Sequence, residues 1–143
     1  MSNLKDIAEN IKKNNLDEAL KLCEVCYDIN NQHIISNFKG VIYLIKGNLE
    51  SSEKNLLKSL KINPKFEDAI KNLYLVYLKK GLFKDLLIYA KKLVEIDKLN
   101  AEYNYKLAYA FELNNNLDES IKHYNIYIDF DGKNKMQAYN NIG

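Results

Sequence analysis

Apolar residues in this chain recur at intervals of three and four, as in Tyr74, Tyr77 and Leu78 and again in Leu86, Tyr89, Ala90 and Leu93. That spacing places them on one side of a 3.6-residue helix and marks amphipathic helices. Turn formers stand between such stretches, and they align. Asn14, Gly47, Gly81 and Asn115 form a column with steps of 33, 34 and 34 residues. Four apolar columns follow in the same register: Leu16, Leu49, Phe83, Leu117; then Cys23, Leu56, Ala90, Tyr124; then Tyr27, Leu60, Val94, Ile128; then Ile29, Ile62, Ile96, Phe130. A turn former with four apolar columns at constant offsets is an internal repeat, each unit of it a helix pair.

Gly and Asn suit the turn column because a helix that ends in the left-handed conformation penalises a Cβ, which these two tolerate best. The pattern predicts helices over 3–13 and 17–29, 34–46 and 50–62, 67–79 and 84–96, 102–113 and 117–129, with a last segment from 136. Asn15 with Glu18, and Asn116 with Glu119, have capping-box spacing at the start of second helices. Pro64 falls between two units, where no helix needs its missing N–H.

Composition narrows the picture. The 143 residues make one domain, 1–143, and the 47% hydrophobic and 28% charged shares are those of a globular chain. Five glycines and one proline leave few helix breakers, which favours an all-α fold. The net charge of +2 comes entirely from lysine among the basic residues, so no guanidinium fork is present for phosphate and no long-range field draws in nucleic acid. The start lacks the charged-then-apolar run of a secretory signal, and no stretch approaches the ~18 apolar residues that cross a bilayer. A cytoplasmic location, with no nucleic-acid or membrane partner, is the expectation.

At this point the residues resemble the tetratricopeptide repeat family. The unit from His33 to Phe66 shows it best: Gly40 where the first helix needs a small residue, Tyr43 one turn later, Gly47 and Leu49 at the turn, Ser52 and Ser59 in the small slots of the second helix, and Asn63-Pro64 closing the unit. The fourth unit agrees through Ala108, Phe111, Leu117, Ser120 and the run from Asn116 to Glu119. The small slots matter because paired helices approach to about 8–10 Å only where the crossing side chains are small. The third unit places Tyr74, Leu86 and Leu93 there, which implies a wider or tilted pair. The first is one residue short, so Ala8 rather than Ile7 is expected in its small slot.

The resemblance implies a right-handed superhelical solenoid of antiparallel helix pairs, with repeats at about 1–32, 33–66, 67–100 and 101–135 and a partial fifth at 136–143. An array that stops inside a unit is expected to continue in a longer chain, to self-associate through its open C-terminal end, or to fray beyond about residue 132. In the family the first helices line a concave groove. Carried onto this chain, that selects a peptide-binding set of Asn37, Phe38, Val41, Lys71, Asn72, Leu75, Tyr105, Lys106 and Tyr109, with Ile45, Lys79 and Glu112 on the same helix faces. Asn offers a donor and an acceptor to a peptide backbone, and the apolar members offer anchors. Any one of Phe38, Val41, Leu75 and Tyr109 serves equally well as packing between units.

The family's clamp for acidic chaperone tails is incomplete. Only Asn72 and Lys106 match it from the second unit onward, with Asn37, Val41 and Glu102 in place of its other members; from the first unit Lys5 matches but Glu9, Phe38, Asp68 and Asn72 do not. An acidic tail is therefore not expected to bind.

Catalytic chemistry has little to stand on. Cys23 and Cys26 have CxxC spacing but lie within a helix, in packing columns, and with His33 and His123 they make a poor zinc set. No phosphate loop or nucleophile triad occurs in the sequence. No enzyme activity, catalytic residue, metal or cofactor is expected. The expected function is a protein-interaction module holding a peptide segment of a partner in its groove; the alternatives are a structural scaffold and the repeat portion of a larger protein.

Overall fold

The computed structural model describes residues 3–130, and these form eight α-helices, one short 3-10 turn and no strand. In order the helices are α1 (Leu4–Lys12), α2 (Leu16–Val25), α3 (Gln32–Ile45), α4 (Leu49–Ile62), α5 (Glu67–Lys80), α6 (Phe83–Ile96), α7 (Ala101–Leu113) and α8 (Leu117–Phe130), with the 3-10 turn at Ile29–Asn31 between α2 and α3. The fold is all-α, built from helix-turn-helix pairs. The partial fifth repeat, and the open end expected there, lie outside the described residues.

The four turns within pairs share one geometry. Asn14 and Asn115 sit at φ 62, Gly47 at 81 and Gly81 at 71, all in the left-handed region. At each, the next residue's N–H reaches back five positions: Asn15 to Asn10 at 2.8 Å, Asn48 to Tyr43 at 2.9 Å, Leu82 to Tyr77 at 3.0 Å, Asn116 to Phe111 at 2.9 Å. This is the Schellman closure, which satisfies carbonyls that the ending helix leaves open.

Three columns of the second helices are buried in every unit: Ala19, Ser52, Leu86, Ser120; Cys23, Leu56, Ala90, Tyr124; and Cys26, Ser59, Leu93, Tyr127. Their steps of four and three define one inward face. The column of Ile29, Ile62, Ile96 and Phe130 is instead exposed, because it falls past that face at the helix ends.

Two compact units divide the chain within α5, the first running through Val76 and the second beginning at Tyr77. In the first, Ile7, Ala19, Cys23, Cys26, Ile35 and Ile42 form one core cluster. Helices α3 and α4 approach closely there. A Cβ on Gly40 would stand 2.5 Å from both Cγ and Cδ2 of Leu56, a side chain without solvent exposure. The Ser52 hydroxyl donates to the Gly40 carbonyl at 2.7 Å and the Ser59 hydroxyl to the His33 carbonyl at 2.7 Å. Small side chains thus both admit the close approach and staple it. In the second unit Tyr127 and Ile128 form a cluster with Ala101 and Tyr105 packed on it.

Three local expectations are corrected. Helix α2 ends at Val25 rather than 29, leaving Tyr27 92% and Ile29 89% exposed. Asp28 takes the Asn31 side-chain N–H at 2.8 Å while its carbonyl takes the Gln32 amide at 2.9 Å, so local side-chain bonds replace helix continuation. Ile7, not Ala8, is the buried residue of α1, because register is counted back from the turn at Asn14, as Gly40 is from Gly47. The Asn15 side chain makes no capping bond, whereas Asn3, Asn48 and Asn100 each cap a helix.

Candidate functional site

In the first unit a cleft of about 280 Å³ is lined by Ala8 and Ile11 of α1, Asn37, Phe38 and Val41 of α3, and Asp68, Lys71 and Asn72 of α5. The spacing within each helix puts these residues on one face. Asn37 is 5% exposed, and its side-chain oxygen accepts an N–H from the Asn72 amide at 3.0 Å. An amide carries two donor hydrogens and an acceptor oxygen. The pair therefore leaves the Asn37 amide nitrogen as a donor and the Asn72 oxygen as an acceptor, the complement of one peptide unit.

Five of the residues selected from the sequence meet in this cleft: Asn37, Phe38, Val41, Lys71 and Asn72. Leu75 is 38% exposed and does not line it. Ala8, Ile11 and Asp68 line it but were not selected. Ala8 was within reach of the repeat arithmetic, since it stands in the column of Val41, Leu75 and Tyr109.

In the second unit, Tyr105 packs edge-on against Tyr124 at 5.5 Å and Tyr127 at 5.0 Å between ring centroids. Lys106 pairs with Glu102 one turn away at 3.6 Å, and Tyr109 is half-buried. Glu112 accepts the Tyr124 hydroxyl at 3.0 Å. Tyr105 thus gives much of its ring to α8.

A buried polar network in this unit had no counterpart in the sequence reading. Asn104, fully buried, donates to the Lys98 and Asn100 carbonyls, both at 2.9 Å, and its oxygen faces His123 Nδ1 at 2.9 Å. Both amide hydrogens are directed at carbonyls, so the Asn104 oxygen acts as acceptor and His123 carries its proton on Nδ1. Burial holds His123 below its ordinary pKa of 6.5, opposed by Glu119 and reinforced by Lys122. The ring stacks on Phe111 at 5.7 Å, with the Lys91 ammonium 5.5 Å from the Phe111 centroid. The sequence signal was Asn104 standing in a column with Ser36 and Ile70, all three buried or nearly so.

Cys23 and Cys26 are both buried free thiols. Burial pushes the Cys23 thiol up to about 11, far from the depressed pKa of reactive cysteines. Among the described residues no group of three His, Cys, Asp or Glu is arranged to hold a metal ion, and no helix is long and apolar enough to cross a membrane.

Comparison with solved structures places this arrangement among known folds. The structure of MamA 41-end from Desulfovibrio magneticus RS-1 aligns over 96% of this chain and 78% of its own, with a TM-score of 0.83 and 18% identity. MamA AMB-1 aligns over 96% and 75%, at 0.81 and 19%, and MamA MSR-1 over 97% and 84%, at 0.73 and 18%. The chain shares their fold. No family model matches the sequence, and no curated protein sequence matches it. The tetratricopeptide resemblance therefore stands at the level of fold.

Proposed function

We propose that this chain is a non-enzymatic protein-interaction module that holds a peptide segment of a partner protein. The observation that carries the reading is the cleft between α1, α3 and α5, where a nine-tenths buried Asn37, fixed by Asn72, sits among Ala8, Ile11, Phe38 and Val41. Concave, partly apolar sites with a few fixed polar groups are the usual form of a ligand site. Lys71 belongs to the same cleft. Leu75 is proposed as a further contact in the first unit on the family's pattern alone; Tyr105, Lys106 and Tyr109 are proposed on the same pattern as a contact set of the second unit by itself, and Tyr105 is the weakest, being already packed on α8.

The test is peptide selection against the immobilised chain, followed by titration of selected peptides into wild type and Asn72→Ala. Binding should weaken by about tenfold or more in the variant, an amide bond lost inside a cleft being worth about 1–2 kcal/mol. Unchanged affinity would remove the cleft from the account.

Self-association is the second reading, favoured by Leu117 and Ile121, one turn apart on α8 and 60% and 41% exposed. Sedimentation over a hundredfold range of concentration distinguishes it, since a scaffold of this kind gains mass and a peptide receptor does not.

A further inference from the structure

Resting on the peptide reading, we infer that the cleft of the first unit selects an extended segment carrying a basic side chain next to an aliphatic one.

Backbone shape follows from the asparagine pair. A helical ligand spends its N–H and C=O groups within itself, so in its interior nothing remains for the Asn37 donor and the Asn72 acceptor. An extended segment presents both groups at every residue, and one peptide unit satisfies the pair. Aliphatic preference follows from the walls: Ala8, Ile11, Phe38 and Val41 supply apolar carbon to a cleft of about 280 Å³. Such a wall rewards an aliphatic side chain and penalises an unpaired polar one.

The sign of the charge follows from Asp68. It is exposed in the first turn of α5, lines the cleft, and has no ion-pair partner among the described residues. The lysine beside it, Lys71, is already engaged within the chain. Asp68 is therefore the charged side chain of the lining with no partner of its own among the described residues. A lysine or arginine of the ligand gains that contact, whereas an acidic residue meets like charge next to an apolar wall, where screening is weaker than in bulk water.

The experiment uses the full chain and a displayed library of randomised nonapeptides. Enriched sequences should carry a basic residue within two positions of an aliphatic one. One enriched peptide is then labelled with fluorescein and measured by anisotropy beside three relatives: basic residue replaced by glutamate, aliphatic residue replaced by serine, and single backbone N-methylation at each position. Wild type should favour the basic peptide over its glutamate form by about tenfold. Asp68→Asn should shrink that ratio and Asp68→Lys should invert it, while Asn72→Ala weakens both peptides alike. N-methylation should abolish binding at one position only, which separates an extended backbone contact from a helical ligand.

Thermal melts check that both Asp68 variants fold, and since the side chain is exposed both should melt as wild type does. Enriched peptides without a basic position, or a charge ratio unmoved by either Asp68 variant, overturn this inference and leave the peptide reading standing. Absence of any enriched peptide overturns both.

Discussion

At the scale of single residues, two glycines do opposite jobs. Gly47 sits at φ 81 with open space where a Cβ would go, so only backbone conformation argues for glycine there. Gly47→Ala should cost about 1 kcal/mol, the usual penalty of a Cβ in the left-handed region, read as a lower urea midpoint with an unchanged slope. Gly40 is an ordinary helical residue, but its missing Cβ is the space Leu56 fills. Gly40→Ala should cost about 1–3 kcal/mol through overpacking, and combined with Leu56→Ala the loss should be smaller than the sum of the two single losses. Asn14 and Asn115 hold the same conformation as Gly47 with a side chain present, which is why asparagine could be read as a turn marker alongside glycine.

At the scale of elements, pairing depends on what lies at the crossing. Ser59→Ala removes the bond to the His33 carbonyl and should cost about 1 kcal/mol in a denaturation experiment. Between α7 and α8 one tie is His123 on Asn104, beside the Tyr124 hydroxyl on Glu112. Because burial depresses the folded pKa of His123, the neutral ring is the form the fold prefers. Its contribution is complete above pH 6.5 and is lost as pH falls from there through the folded value. His123→Gln should therefore lose less stability than wild type when the pH is lowered below 6.5, measured by urea midpoints on either side of that pH; equal loss in both would show that the ring does not titrate on unfolding.

Elements also show where the sequence pattern misled. The repeat predicted a second helix reaching residue 29, as its counterparts α4, α6 and α8 reach the equivalent Ile62, Ile96 and Phe130, yet α2 stops at Val25. An average over four units outvoted a local signal. Asp28 gathers the Asn31 side chain on its carboxylate and the Asn31 N–H and Gln32 side chain on its carbonyl, and in the short first unit that competition wins.

At the scale of the whole molecule, a ligand of the folded cleft must raise stability by mass action, because the unfolded chain has no cleft. A selected peptide at one hundred times its dissociation constant should add about 2.7 kcal/mol to wild type. The same concentration should add about half as much, about 1.4 kcal/mol, to Asn72→Ala if its affinity falls tenfold, and equal gains would mean the peptide binds elsewhere.

The period, the left-handed turns and the buried second-helix columns were legible in the sequence, because backbone closure and burial of one helix face impose the same demand on every repeat. The joining of Asn37 to Asn72, the contribution of Ala8 and Ile11 from a third helix, the open charge of Asp68 and the burial of Asn104 against His123 were decided by tertiary structure. Each depends on which side chains from distant segments meet and on what is left unpaired once they do, and spacing along one chain carries no information about either.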